Sequence, residues 1–355
     1  MNIIENINNS LSSPLVRGNS VSIKEAIKNA KQIINNSNGI HIDGLGCDLD
    51  ALYEVFLFAE KNNTSIDHAD NKNIVNFNNC LQISGTNLVS QGEIRNRSDL
   101  ILVIGENEEN EDLNFLDLKK NEKKIKDKIY FIVEKKIKKT KFNYFNLGSD
   151  NTDQALDKVY NIINNSHLKF EDSKKNNFSK LLQMMQKSKY GTIIFNSVNH
   201  SNLGTLRVIE MVKLLNSINK KFAIYHLGGK NNIAGAIQTS LWKTGFPLRV
   251  KFTDEGPIYN SLEYNDEFLS DKKELQIYIS CFDKKPRVNL FKKNIFIGNP
   301  FFNLKSKVDI FIPTSVPELD QKGLIVRGDG VCIEKLDKKK ESKYKSVKEI
   351  FNLLN

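Results

Sequence analysis

Residues 190–216 read YGTIIFNSVNHSNLGTLRVIEMVKLLN, and the fold assignment starts from them. The apolar run 192–196 predicts a short buried strand, and 197–202 a polar turn. Leu203, Leu206, Ile209, Val212 and Leu215 then recur at helical spacing. Downstream, 222–225 repeats the strand signature, 226–232 is a Gly/Asn turn, and 233–242 is a second helical stretch. Gly245-Phe246-Pro247 and a third apolar run close the pattern. This predicts a βαβα unit with right-handed crossovers over a parallel sheet. Its two strand-to-helix turns are expected to meet at the sheet's C-terminal edge, where such folds bind ligands.

Outward from this unit, 355 residues suggest about two domains. A hydrophobic fraction of 39% supplies material for packed cores. The formal charge of +10 rests on lysine spread among asparagines, the pattern of solvated faces in a Lys/Asn/Ile-biased chain. No basic run is interleaved with aromatics, so nucleic-acid binding is set aside as the main function. Cys47, Cys80, Cys281 and Cys332 stand singly, without the pair spacing of a zinc ribbon or an iron–sulfur loop. Scattered thiols and a polar, Asn-rich start, in place of a signal peptide, point to the reducing cytoplasm. No apolar run approaches the roughly 20 residues of a membrane helix.

Residues 1–20 read as a flexible arm, and residues 22–36 as an amphipathic helix capped by Ser22. A strand at 39–43 enters Gly44-Leu-Gly46-Cys-Asp48 and a helix at 49–61. Glycines there have the position of a phosphate cradle, but Leu49 stands where G-x-G-x-x-G needs its third glycine. A tight turn with Asp48 capping the helix is the expected reading. Residues 69–150 form an inserted Rossmann-like domain, with strands at 100–104 and 129–133. The main α/β domain is discontinuous, 21–68 plus 151–335, resuming with Gly148–Asp150 and the helix 152–164. Strands follow at 275–280, 294–297 and 309–312, then a hairpin around Gly328-Asp329-Gly330 and a terminal helix in 336–355.

Several ordered motifs now resemble one family. They are Arg95–Leu100, Val103–Gly105, Gly148–Asp150, Asn232–Gln238, Gly245–Pro247, Gly256–Asn260, Val308–Pro313, and Arg327 and Asp329 in an R-x-D-x-V setting. The chain resembles the tungsten or molybdenum pterin subunit of formylmethanofuran dehydrogenase. More closely, it resembles the metal-free counterpart of that subunit in the bacterial formyltransferase/hydrolase complex of methylotrophs. The resemblance implies Rossmann-like parallel-sheet domains as in molybdopterin oxidoreductases, here without the iron–sulfur module. It also implies a cytoplasmic, hetero-oligomeric assembly of one-carbon metabolism. The partners would be the hydrolase, the formyltransferase and the one remaining polypeptide of the same complex, with indirect contact to the polyglutamate carrier, methylofuran.

Departures from the family pattern set the chemical expectation. No cysteine precedes Cys47, so the resemblance leads to the expectation of a chain without the family's [4Fe–4S] module. Aligning the flanks puts Asn73 where the family carries its metal-ligating cysteine, and a carboxamide does not replace a thiolate. Gly44, Gly46, Asn199, His200, Lys230, Asn231 and Asn232 are left as residues of a vestigial cleft. No catalytic residue, iron–sulfur cluster, tungsten or molybdenum is expected. The chain then reads as a non-catalytic scaffold of a complex that moves formyl groups between tetrahydromethanopterin and methylofuran and releases formate. Two alternatives stay open: a formylmethanofuran dehydrogenase subunit with redox activity on a pterin-bound metal, and an independent small-ligand α/β enzyme. Among single residues, Cys47 reads as a semi-buried small residue, His41 as a core histidine, and His68 as a lone histidine without a metal partner. His200 and His226 read as loop-bonding groups, with a catalytic pair as the alternative. Trp242, Phe246 and Tyr259 suit either a contact between subunits or core packing.

Overall fold

The computed structural model describes residues 13–118, 122–133, 142–146, 151–165, 177–218, 220–283, 291–301 and 308–355. Gly148–Asp150, residues 1–12 of the expected arm and residues 119–121 of the expected inserted domain lie outside them. The chain divides into two compact units, residues 72–228 and residues 1–71 with 229–355.

In the 72–228 unit, five parallel strands stand in the order Asn143–Asn146, Ile129–Val133, Leu100–Ile104, Gly191–Phe195, Phe222–His226. In chain order this is 3-2-1-4-5, so winding reverses between Leu100–Ile104 and Gly191–Phe195. Leu100–Ile104 is buried on both faces, as parallel strands are. Leu100, Leu102 and Ile104 share a core with Val208, Ile209 and Val212 of the helix Asn202–Ser217. The alternate residues Ile101 and Val103 join Ile94, Leu113 and Leu116 on the other face. Leu203, the first residue of the expected apolar helical stripe, is instead 79% exposed; the stripe begins one turn later.

In the other unit, parallel strands stand in the order Ser65–Ile66, Ile40–Gly46, Leu275–Ser280, Lys293–Gly298, Ile310–Pro313. Antiparallel strands extend both edges: Val250–Thr253 and Gly256–Tyr259 on one, Leu15–Val16 and Asn19–Ser20 on the other. One face buries isoleucines under the helices Ile23–Asn35, Leu49–Lys61, Ile233–Thr244 and Val347–Leu354. Ser22 caps the first of these by accepting from the Glu25 amide, as its sequence position predicts. The opposite face carries Tyr278, Phe296 and Phe311 together with buried His41 and Gln276. Gly323–Val326 and Ile333–Leu336 form the expected hairpin, a separate two-stranded ribbon. Among the described residues, no helix is long and apolar enough to cross a membrane.

Two expectations are corrected here. The inserted segment ends at Gly228, not at residue 150, because Gly191–Phe195 pairs with Leu100–Ile104 and carries 151–228 into the same sheet. The expected βαβα unit does not stay together: the other unit takes the helix Ile233–Thr244 and, after it, the third apolar run, Val250–Thr253. That run pairs antiparallel with Ser65–Ile66 there.

Candidate functional site

The two units each bring together part of the residue set. In the 72–228 unit the relevant edge is where winding reverses, at Gly105 and the turn Ser197–Asn199. Asn196 starts that turn by accepting from the Val198 amide. The turn is then tied down by a segment far earlier in the sequence. Asn76 Nδ2 lies 3.2 Å from the Ser197 carbonyl, 3.1 Å from the His200 carbonyl and 3.0 Å from Thr205 Oγ1. Ser197 Oγ donates to the Asn73 carbonyl at 3.0 Å. The Ser197 amide donates to His226 Nε2 at 3.1 Å, so that nitrogen carries a lone pair and the ring proton sits on Nδ1. Phe77 stacks on the His226 ring at 4.4 Å. Burial, and after it the neighbouring His200, lower the His226 imidazole to about 3, so the ring is neutral near pH 7.

His200 is buried, with Nδ1 2.8 Å from Asp153 Oδ1. The other carboxylate oxygen of Asp153 accepts from the Ser201 amide and hydroxyl. Burial alone would raise this carboxyl, but bonds from Ser201 and His200 outweigh it and hold Asp153 below the usual range. Asn199 is exposed and donates to Glu106 at 2.9 Å. His200 and His226 thus serve the loops around them.

In the other unit the two glycines have a steric cause. A Cβ on Gly44, whose φ is +88°, would stand 2.3 Å from the Ile279 carbonyl oxygen. One on Gly46 would stand 3.0 Å from Ser280 Oγ. They let Ile40–Gly46 close on Leu275–Ser280 where the register shifts. Asp48 occupies the N-cap position of Leu49–Lys61, yet its side chain makes no capping bond, contrary to expectation. Its carboxylate turns instead to Gln321 Nε2 at 3.3 Å, and burial, then Asp50, raise it to about 6.

Asn231 and Asn232 both hold left-handed backbone, φ 53° and 61°, which asparagine tolerates better than most residues. Asn232 Nδ2 donates to the Cys47 carbonyl at 2.8 Å and its Oδ1 accepts from the Val326 amide at 2.9 Å. Asn231 Nδ2 donates to Asp70 at 2.9 Å, while its carbonyl accepts from His68 Nε2 at 3.1 Å. Lys230 beside them is exposed. Sequence reasoning missed the cluster behind them. Buried Asp67 accepts from the His68 amide and Asn71 on one oxygen and from Arg249 Nε at 3.1 Å on the other. Burial outweighs that arginine and raises Asp67 to about 6. The lone signal for this pair was an arginine between the apolar residues Leu248 and Val250. Gly44, Gly46, Asn231 and Asn232 therefore share one unit with Lys230, and Asn73, Asn199 and His200 share the other.

A pterin-bound metal of the kind the resemblance implies needs soft donors. Among the described residues no group of three or more His, Cys, Asp or Glu side chains has metal-binding geometry. Cys47 is not semi-buried but fully enclosed, and burial raises its thiol well above the usual range. Cys281 is likewise buried, and burial pushes it up to about 12. Cys80 sits against Asn76 and the Asn202 carbonyl. Cys47, Cys80 and Cys281 are therefore held inside their own surroundings and are not presented to such a group, while Cys332 is partly exposed.

No protein-family model matches the chain. Over 164 residues, 43% of its length, it is 25% identical to a polypeptide of the tungsten-containing formylmethanofuran dehydrogenase 2 of Methanococcus maripaludis. The match spans 38% of that protein. The fold superposes on a chain of the formyltransferase/hydrolase complex from Methylorubrum extorquens, solved with methylofuran, at a TM-score of 0.84 and 16% identity. That superposition covers 96% of this chain and 97% of the other. Acetylene hydratase from Pelobacter acetylenicus superposes at 0.64 and 10% identity, over 98% of this chain and 61% of the hydratase. The α/β architecture with Rossmann-like parallel sheets is thus shared with these proteins.

Proposed function

We propose that this chain is a non-catalytic scaffold within a formyltransferase/hydrolase assembly. That assembly would handle formyl-methylofuran and tetrahydromethanopterin-linked one-carbon units and release formate. One observation carries the reading. Asn73, which the family resemblance sets against the metal-ligating cysteine, has its carbonyl bound by Ser197 in a knot closed by Asn76 and Phe77. A segment committed to holding a turn, with a carboxamide in place of a thiolate, serves framework and not metal binding. The superposition along nearly the whole chain supports the framework half of the proposal.

On this reading the chain carries no iron–sulfur cluster, tungsten or molybdenum. It works in the cytoplasm beside the hydrolase, the formyltransferase and the remaining polypeptide of the complex. The partial likeness to a tungsten-containing dehydrogenase favours a second reading, a redox-active polypeptide with a pterin-bound metal. That reading needs a ligand other than residue 73, and Cys47 is too enclosed to serve without rearrangement.

Affinity purification of the tagged chain from its host tests the proposal. Co-purification of the hydrolase and formyltransferase polypeptides, with formate release unchanged in Asn73→Ala, is the expected result. A chain that purifies alone, or dye-linked formate oxidation by the sample, overturns it.

A further inference from the structure

The scaffold reading leaves open which surface takes a partner. The segment 322–348 carries eight lysines and one arginine against four carboxylates, so half of the chain's net charge of +10 lies here. Arg327 is spent internally, on both oxygens of Asp329 at 2.9 and 2.7 Å. All the lysines but Lys348 are exposed. Lys335, Lys338 and Lys339 reach Asp337, Glu341 and Glu318 in solvent-facing pairs, which contribute little.

Within this segment lies the ribbon Gly323–Val326 with Ile333–Leu336. Gly323–Val326 packs toward the helices Leu49–Lys61 and Ile233–Thr244. Ile333–Leu336 pairs on one side with Gly323–Val326, and no other described strand pairs with it. Ile333, Glu334 and Lys335 are exposed on it, and Leu324 and Val331 add apolar surface at 39% and 63% exposure. A two-stranded ribbon is marginal by itself in water, and an unpaired edge is a template for a further strand.

From these features we infer that Ile333–Leu336 is the docking edge for an acidic β-strand of a partner polypeptide. The partner's main chain pairs along the open edge, and its carboxylates, on the face that carries Lys335, meet Lys335, Lys338 and Lys340. The lysines repel the same basic edge of a second copy of this chain, so the occupant is a different, acidic polypeptide. A nucleic acid fits less well. Tyr344 is the single aromatic of the segment, and Lys343 already stands over its ring at 5.2 Å.

The inference deepens the scaffold reading and rests on it for the partner's existence. Its test uses the full-length chain alone, so its failure is distinct from a failed co-purification. A fluorescent peptide of about ten residues alternating glutamate and valine is titrated by anisotropy. Saturable binding is expected, weakened about tenfold by the exposed double change Lys335→Glu/Lys340→Glu and by raised salt. N-methylation of alternate peptide amides, which removes the donors to the edge, abolishes binding. Circular dichroism confirms that the variant keeps the parent fold. Three results overturn the inference: no binding by the peptide, equal binding by the N-methylated peptide, or tighter binding by oligouridylate.

Discussion

Replacing Asn232 by alanine probes the joint that holds the Lys230–Asn232 turn to its unit. The side chain connects the Cys47 carbonyl and the Val326 amide, and both belong to buried residues. Leaving each unpaired costs about 1–2 kcal/mol. Alanine in the left-handed backbone of position 232, φ 61°, adds about 1 kcal/mol. Asn232→Ala should therefore destabilise by about 3–5 kcal/mol, and Asn232→Gly, which relieves the backbone part, by about 1 kcal/mol less. Urea unfolding followed by Trp242, the single tryptophan and a residue of the same unit, measures both. A second variant sharpens the test. A Cβ on Gly235 would stand 2.4 Å from Asn232 Oδ1, so Gly235→Ala disturbs the parent chain. In the Asn232→Ala background that clash is gone, and the helix propensity of alanine should gain about 0.5–1 kcal/mol. Asn232→Ala within about 1 kcal/mol of the parent, or equal effects of Gly235→Ala in both backgrounds, would refute the reasoning.

Asn76→Ala should destabilise the 72–228 unit by about 1–3 kcal/mol and speed amide exchange in 197–205, since three acceptors lose one donor group. Asp48, raised to about 6 by burial, is charged at pH 8 at a cost to the folded state. Asp48→Asn should therefore stabilise by about 1–3 kcal/mol at pH 8, with the gain fading as pH falls from about 6 to about 4 and gone below that, where both folded and unfolded carboxyls are protonated. His226 acts in the opposite sense. Its folded value of about 3 lies below the ordinary 6.5, so the unfolded chain takes up the proton first and stability falls as pH drops from about 6.5 toward 3. His226→Gln should flatten that part of a urea-midpoint profile, and an unchanged slope would count against a neutral buried ring. With Cys47, Cys80 and Cys281 buried, a thiol reagent should titrate about one cysteine, Cys332, in the native chain and all four in denaturant.

Much of the local structure was legible because the apolar periodicity is strong. Leu100–Ile104, Thr152–Asn164 and Leu275–Ser280 follow their patterns residue for residue. The assignment of strands to sheets was not legible. An apolar run such as 191–195 announces burial on both faces, but nothing local says whether it pairs with residue 100 or with residue 275. Val250–Thr253 escaped for the same reason: a parallel and an antiparallel strand share the same short pattern. At the candidate site, the glycines were found for the wrong cause. The strand-to-helix position suggested a tight turn or a phosphate cradle, whereas Gly44 answers a carbonyl on the neighbouring strand, 235 residues onward at Ile279. The Asp67–Arg249 pair and the double role of Asn232 depend on partners distant in the chain, and no spacing rule reaches them.

The central claim, that position 73 offers carboxamide and backbone where a heavy redox metal needs sulfur, is tested most directly by elemental analysis of the co-purified native complex. The account predicts tungsten and molybdenum far below one atom per chain in preparations that still release formate. About one atom of either per chain, retained through gel filtration and lost with the pterin on acid extraction, would contradict it.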